Sequence, residues 1–424
     1  MSRWSVKLSW AMMFVAVVAA GEPAVADDDH WPQWRGPTGD NHAAAGVRVP
    51  DRWNLQSGEN IVWQTELPGR GHSTPAVTDR WIFLTTADDD AQTQSLIKLD
   101  RGSGKIVQTT VLHRGTLPAR IHSNNSHASP SPIVHDDHVF ASFHTDDAIV
   151  LSKVSVDGRV IWQRRIAAFR PSRYEFGYGA SPMLYDDHVI VAAEYDGPES
   201  GIYAVSIDRG DLVYKIPRRS NLSFSSPGFG TVGGRDQMVI AGDDRVDAFD
   251  PATAARLWSA DAGTSAHCGT AVFADRSVIV SGGYPGSRTW CVAADGTGRV
   301  VWENNNVAYE QSLLIFGNHV VTVANSGAAF CHRVADGTEM WRGRALGSGV
   351  SASPLLVDDR IIAADERGKV VVIRATPDRY DEVATNQTGE SIFASPIAVG
   401  DRLYIRTAVR TGGRRVERLV AIGS

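Results

Sequence analysis

The sequence predicts an all-β fold, an eight-bladed β-propeller of four-stranded antiparallel blades. Three observations lead to this prediction: a phrase that recurs along the chain, its spacing of about 42 residues, and an early strand that matches the last strand of a repeat. The composition is that of a folded protein, with 43% hydrophobic and 21% charged residues in a chain of 424. The formal net charge of −6 gives no cationic excess, so we expect no nucleic-acid partner.

The recurring phrase begins with a small residue and Pro before a short apolar strand, as in Ser73-Thr74-Pro75-Ala76-Val77. A tight turn, a β-branched strand, a third strand, and a Gly turn into an aromatic strand follow it. The Pro-equivalent positions are Pro75, Pro132, Pro182, Pro227, Ala271, Leu313, Pro354 and Pro396. Eight copies of a four-strand unit at this period are typical of propeller blades.

The two ends of the chain are predicted to meet in one blade. Only three strands fit after Pro396, and the missing fourth is found at the start, where 60–67 parallels 158–166 at the end of the second repeat. An N-terminal strand that completes the last blade closes the ring and removes two exposed sheet edges. The predicted division is a signal peptide (1–26), a head segment (27–59) and the propeller (60–424).

The first 26 residues have the order of a secretory signal. Arg3 and Lys7 precede an apolar run that is too short for a membrane span, and Ala24-Val25-Ala26 provides a cleavage site. No Cys lies near that site, and no later stretch is apolar enough to cross a bilayer. We therefore expect an exported, soluble, unlipidated protein in the periplasm or medium, and we expect it to be a monomer.

Two sets of residues resemble chemical sites but are interpreted as structural. The aromatic residues in the final strand of the repeats are predicted to wedge between blades; they are Trp63, Trp162, Tyr214, Trp258, Trp302 and Trp341. His135-Asp136-Asp137-His138 has the appearance of a metal site, yet Tyr185-Asp186-Asp187-His188 and Val357-Asp358-Asp359-Arg360 occupy the same slot. Asp tolerates left-handed backbone, so these segments are predicted to be hairpin turns, and no metal site is predicted.

The three cysteines leave at least one unpaired. Cys268, Cys291 and Cys331 each lie in or beside an apolar run, which favours buried thiols, with a Cys268–Cys291 disulfide as the alternative. The chain contains no P-loop, no HExxH and no GxSxG motif. No catalytic residue is predicted from these patterns.

The repeat resembles the pyrroloquinoline quinone (PQQ) repeat of quinoprotein dehydrogenases and of BamB-type propellers. The residues that carry the resemblance include Ala180-Ser181-Pro182, Asp295–Trp302 and Asp336–Trp341, and Trp31–Pro37 is similar to the start of many exported PQQ-like propellers. The resemblance spans about residues 30–424 and implies an architecture more strongly than an activity, since one fold hosts unrelated functions.

The resemblance implies two alternative functions. The favoured one is a non-catalytic binding or protein-interaction scaffold in the cell envelope, without a cofactor. The alternative is a PQQ-dependent dehydrogenase with PQQ and Ca²⁺, but the vicinal cysteines of that group are absent here, and only Asn125 and Glu194 suggest themselves as Ca²⁺ ligands. We therefore regard an enzyme as the weaker interpretation.

A candidate ligand site is predicted on the rim formed by the loops that lead into the innermost strands. Long loops before repeats two and three add arginines and aromatic residues, including Arg173, Tyr174 and Phe176. The predicted ligand-binding residues are Arg70, His72, Asn125, His127, Arg173, Tyr178 and His267. Guanidinium and aromatic groups suit an anionic small molecule or a protein segment, whereas a solvated or purely structural role for these residues remains the alternative.

Overall fold

The computed structural model describes residues 30–218 and 223–423, and every regular element in them is a strand. The predicted signal peptide (1–26) lies outside the described residues, as do the first three residues of the predicted head. Among the described residues, no helix has the length and apolar character needed to cross a bilayer. The strands are β1 (Ile61–Leu67), β2 (Ala76–Val77), β3 (Trp81–Asp88), β4 (Thr93–Asp100), β5 (Ile106–Arg114), β6 (Ile133–His135), β7 (His138–Thr145), β8 (Ala148–Ser155), β9 (Val160–Ala168), β10 (Met183–Tyr185), β11 (His188–Ala193), β12 (Gly201–Ser206), β13 (Leu212–Pro217), β14 (Gly228–Val232), β15 (Arg235–Gly242), β16 (Arg245–Phe249), β17 (Arg256–Ala260), β18 (Val272–Ala274), β19 (Ser277–Gly282), β20 (Arg288–Ala293), β21 (Val300–Asn304), β22 (Leu314–Phe316), β23 (His319–Val323), β24 (Ala328–Arg333), β25 (Glu339–Arg344), β26 (Leu355–Val357), β27 (Arg360–Ala364), β28 (Lys369–Arg374), β29 (Glu382–Gln387), β30 (Ile397–Val399), β31 (Arg402–Thr411) and β32 (Arg414–Ile422).

These strands form eight four-stranded antiparallel sheets in a ring, which confirms the predicted eight-bladed β-propeller. Blades 1 to 7 are consecutive meanders, from β2–β5 to β26–β29. The first strands of neighbouring blades contact one another, as β14 contacts β18 and β22 contacts β26, so these strands surround the ring axis. We call the end of the ring at which loops lead into these innermost strands the top face, and the opposite end the bottom face.

The burial of each strand follows its distance from the axis. In β11 every residue except the first is buried, because both faces of a blade pack against neighbouring blades. In the outermost strand β1 partly buried and exposed residues alternate instead. This gradient explains why the second strands are nearly continuous apolar runs, whereas the last strands alternate.

The last blade is closed by the first strand, as predicted. β1 pairs antiparallel with β32, from Ile61 opposite Ile422 to Leu67 opposite Glu417, and the sheet order is β1-β32-β31-β30. The chain therefore begins and ends its propeller in blade 8, and the ring leaves no blade with an incomplete sheet.

The Asp pairs lie in the tight turns between first and second strands. Asp136 and Asp137 join β6 to β7, and Asp358 and Asp359 join β26 to β27. The first Asp of each pair has a positive φ, 50° at Asp136 and 52° at Asp358, which is the left-handed conformation that such turns require.

The aromatic side chains of the outer strands reach the next blade around the ring. The indole N–H of Trp63 in blade 8 donates to the carbonyl of Arg101 in blade 1 (3.2 Å), and Trp341 in blade 6 donates to Thr376 in blade 7 (2.7 Å). A Cβ on Gly104, where φ is +70°, would lie 2.4 Å from the Trp63 ring, so this turn requires glycine. Similar contacts join Trp162 to Asp208, Tyr214 to Pro251 and Trp302 to Val334. Trp258 differs, because its indole N–H donates to the side chain of Gln237 in its own blade, and the Gln237 amide donates in turn to the carbonyl of Ala294 in blade 5.

A ring of hydroxyl groups joins the blades near the axis. The residues directly before the Pro-equivalent positions form what we call the serine belt, and they are Thr74, Ser131, Ser181, Ser226, Thr270, Ser312, Ser353 and Ser395. The backbone N–H of Ser312 donates to the hydroxyl of Ser353, and that of Ser353 donates to Ser395, both at 2.9 Å. Four other junctions repeat this hydrogen bond at 2.8–3.0 Å.

The head segment crosses the bottom face and binds innermost strands on opposite sides of the ring. Trp31 pairs with β2, the Pro32 carbonyl accepts from β6, and Ala43 pairs with β26. The Arg35 guanidinium donates to blade 6 (3.1 Å), and the Asn41 amide donates to blade 7 (2.5 Å). Trp31, Arg35 and Asn41 are at most 1% exposed, so the head is an integral part of the bottom face.

Replacing one belt hydroxyl tests its contribution. Ser353→Ala leaves the buried N–H of Ser312 without its partner, and we expect it to lower the free energy of unfolding by about 1–3 kcal/mol in urea titrations. The matched control is Ser348→Ala, which removes an exposed hydroxyl from the loop that leads to the same belt residue. Equal stability of the two Ala variants would contradict a structural role for the Ser353 hydroxyl.

Candidate functional site

A cavity of about 290 Å³ lies on the ring axis at the top face. Its wall is built by the same position in every blade, two residues before the serine belt. We call these eight residues the cavity ring, and they are His72, Ser129, Gly179, Phe224, Cys268, Glu310, Ser351 and Phe393. Successive side chains of an extended segment point to opposite sides, so a residue two positions before an axial hydroxyl also faces the axis.

The head segment provides the floor of this cavity. Trp34 lines the cavity from below, and its indole N–H donates to the belt hydroxyl of Thr270 (2.9 Å). Because the neighbouring head residues bind blades on opposite sides of the ring, the axial channel is obstructed at its bottom end. A ligand must therefore enter from the top face.

Aromatic rings contribute much of the apolar surface of the cavity. Trp34, Phe224, Tyr309 and Phe393 line the cavity, and Phe176 extends into it from the long loop before blade 3. The imidazole of His72 stacks on the Phe393 ring, with centroids 4.5 Å apart and planes 12° apart. Burial and nearby arginines lower the pKa of His72 well below its ordinary value, so this ring is neutral at pH 7.

An exposed group of rings, which we call the aromatic shelf, adjoins the cavity on the top face. It consists of His122, Tyr174, Phe176, Phe224 and Tyr284. Ring centroids lie 5.4 Å apart for Tyr174 and Tyr284, and 5.8 Å apart for Phe176 and Phe224. Phe176 is 36% exposed and Tyr284 is 44% exposed. Four loops thus present an apolar surface beside the opening of the cavity.

One carboxylate belongs to the cavity ring. Glu310 Oε2 accepts a hydrogen bond from the Ser351 hydroxyl at 2.7 Å, and the same hydroxyl lies 2.8 Å from Glu366 Oε1. Burial, with a further contribution from Glu366, raises the pKa of Glu310 above its ordinary value of 4.5. No Lys or Arg is among the described residues that line the cavity.

The cysteines carry free thiols in the described structure, so the alternative of a Cys268–Cys291 disulfide is not realised there. Cys291 and Cys331 are buried, as the favoured interpretation expected. Cys268 is partly exposed in the cavity ring. Burial and the nearby Glu310 carboxylate raise the pKa of its thiol, so Cys268 is protonated and weakly nucleophilic at pH 7.

The structure brings two of the predicted ligand-binding residues into the cavity, His72 and Asn125. Asn125 extends from the long loop before blade 2, and its amide donates to the carbonyl of Phe176 (2.6 Å), which ties the two long loops together. Asn125 thus supports the shelf as well as lining the cavity.

Three other predicted residues lie outside the cavity lining. The Arg70 guanidinium donates to the carbonyl of Ser123 (3.0 Å), and His127 Nε2 lies 3.9 Å from a carboxylate oxygen of Asp89. The exposed Arg173 is held through its backbone N–H, which donates to an Asp side chain. The structure therefore does not gather the predicted guanidinium groups around one ligand.

Tyr178 and His267 are buried in the wall and are not on the surface. The Tyr178 hydroxyl donates to the carbonyl of Ala192 (2.9 Å), and burial raises the pKa of this hydroxyl. Burial lowers the pKa of His267 to about 4, so its imidazole is neutral at pH 7. Both side chains are therefore buried, and neither lies on the surface that the sequence analysis assigned to them.

The two donors suggested for Ca²⁺ are not brought into one site. Asn125 lines the cavity and Glu194 does not; Glu194 forms a buried ion pair with Arg218, which also pairs with Asp247. Within the described ranges, no three His, Cys, Asp or Glu side chains are grouped so that they could hold a metal ion. These residues do not fit the oxygen-rich cage that Ca²⁺ requires.

Comparisons with known proteins agree with this architecture. The family described as outer membrane protein assembly factor BamB matches residues 52–216, 156–341 and 242–412. The crystal structure of BamB from Moraxella catarrhalis is similar, with 15% identity and a TM-score of 0.60 over 85% of this chain and 96% of that one. No curated protein matches the sequence.

Two further solved structures share the fold. The computationally designed Ika8 protein is 14% identical, with a TM-score of 0.60 over 85% of this chain and 98% of its own. A europium-containing methanol dehydrogenase is 10% identical, with a TM-score of 0.54 over 93% of this chain and 98% of its own. Identities this low carry the fold alone, whereas the family match spans most of the propeller. The chain belongs to the family of the outer membrane protein assembly factor BamB.

Proposed function

We propose that the chain is an exported, non-catalytic binding protein of the cell envelope that docks a segment of a partner protein at its top face. The observation that carries the proposal is the cavity closed at one end, with the aromatic shelf beside its opening. Exposed rings such as Phe176 and Tyr284 provide apolar contact area at low entropic cost, as is common in interfaces. The family match supports a protein-interaction role, and the signal-like residues 1–26 support export.

A small anionic ligand, the other partner expected from the sequence, is less well supported. The arginines on which it depended do not line the cavity, whereas a carboxylate does. Arg120, on the long loop before blade 2, pairs with Glu175 at 3.4 Å. Arg170, on the long loop before blade 3, pairs with Asp147 at 3.0 Å, so each arginine already has an anionic neighbour.

The shelf is tested by removing its exposed rings. We expect the double variant Phe176→Ser, Tyr284→Ser to lose its partner in pull-downs from cell-envelope extracts, because the apolar contact area is gone. The matched control is Leu212→Ser, which removes a side chain that is 61% exposed on the outer wall at β13. Partner loss in the control alone would place the interface on the outer wall, where Val107 and Val160 are also exposed.

The competing function is a PQQ-dependent dehydrogenase. A europium-containing methanol dehydrogenase has a similar fold. Because Glu194 is paired with Arg218, we expect no stable complex with PQQ and Ca²⁺ on gel filtration and no reduction of an artificial electron acceptor with alcohols. Stoichiometric PQQ retention together with dye reduction would overturn the binding-protein proposal.

A further inference from the structure

We propose that the cavity takes an organic cation, the ammonium or guanidinium group of a Lys or Arg side chain on the docked segment. This inference rests on the proposed function and names the chemical group that the site selects. It follows from the charge, the hydrogen bonding and the shape of the cavity ring.

The charge inside the cavity lacks a counter-ion. Glu310, which is exposed to the opening of the cavity, is the one carboxylate among the described lining residues, and the half-buried Glu366 lies directly behind Ser351. Within the described residues neither carboxylate has a Lys or Arg ion-pair partner, whereas Glu417, for example, pairs with Arg406 at 3.3 Å. An entering cation would supply the missing positive charge.

The hydrogen bonding between these groups is also incomplete. The Ser351 hydroxyl lies 2.7 Å from Glu310 and 2.8 Å from Glu366, but it has one proton and can donate to one carboxylate at a time. When both acids are ionised, the hydroxyl oxygen and the carboxylate oxygen to which it does not donate face each other without a proton between them. An N–H donor from a ligand would relieve this repulsion, and an anionic ligand would add to it.

The rings around the carboxylate suit the same ligand. Trp34 at the floor, with Phe224, Tyr309 and Phe393 in the wall, surrounds the space with aromatic side chains. Ring faces attract ammonium and guanidinium groups, and they pack against the alkyl stems of Lys and Arg. A volume of about 290 Å³ is at the lower end for ligand pockets, so it suits a single long side chain.

The pH dependence of binding follows from Glu310. Burial and Glu366 raise the pKa of Glu310, whereas Ser351 and His122 lower it, and Cys268 and Tyr309 are the other titratable groups of the lining near it. Only the ionised carboxylate attracts a cation. Affinity should therefore be full at neutral pH and should fall as the pH decreases through a pKa above 4.5.

The test uses calorimetric titration of the full chain with three capped pentapeptides, Gly-Gly-X-Gly-Gly, in which X is Lys, norleucine or Glu. We expect the Lys peptide to bind at least about tenfold more tightly than the norleucine peptide, as for a desolvated cation–aromatic contact with a charge partner. Glu310→Gln should abolish that preference and its pH dependence. The matched control is Glu59→Gln, which alters an exposed carboxylate on the turn before β1 and should change neither.

The other outcomes overturn the inference. Equal binding of the Lys and norleucine peptides, or tighter binding of the Glu peptide, would show that the cavity does not select a cation. Binding of n-butylammonium without binding of the Lys peptide would assign the site to a free amine and not to a protein side chain. If neither cation binds while the shelf variant still loses its partner, the proposed function stands and the cation inference fails.

Discussion

The structure depends on how the backbone N–H groups nearest the ring axis are satisfied. Each belongs to a residue that precedes the innermost strand, so it has no partner within its own sheet, and a buried N–H without a partner is costly. At six of the eight junctions between the described blades the serine belt provides the partner, since a Ser hydroxyl of one blade accepts from the N–H of the blade before it. The belt thereby sets the spacing of the blades at the axis. It also fixes the position of the cavity ring, because each cavity-ring residue lies two residues before a belt residue.

The head turns this symmetrical channel into an asymmetrical site. A ring of eight similar blades would leave an axial hole open at both ends, but Trp31, Arg35 and Asn41 bind innermost strands across the bottom face, and Trp34 forms the floor. The chain then continues to β1 and completes blade 8. The segment that closes the ring is therefore continuous with the segment that closes the cavity, which gives the site one opening and a defined depth.

Most of the fold could be predicted from the sequence, because period, turn chemistry and strand alternation are local properties. The closing strand was predictable since Ile61–Leu67 matches the outer strands of other repeats. The site was less predictable. Residue type alone favours Arg70 and Arg173 as ligand-binding residues. The position two residues before each belt hydroxyl instead indicates Glu310 and Phe393. Trp34 and Glu366 do not occupy the repeated cavity-ring position. They come close to the cavity only through tertiary packing, so the repeat pattern does not predict their role.

If a partner segment docks at the closed cavity on the top face, it should place a cationic side chain there. The most direct measurement is photo-crosslinking in cells, with p-benzoylphenylalanine at Phe176 on the aromatic shelf or at Leu212 on the outer wall, and sequencing of the crosslinked peptides by mass spectrometry. We expect adducts from position 176 with one partner segment that contains Lys or Arg near the crosslink. Adducts from position 212 alone, or from 176 with segments that lack both residues, would contradict it.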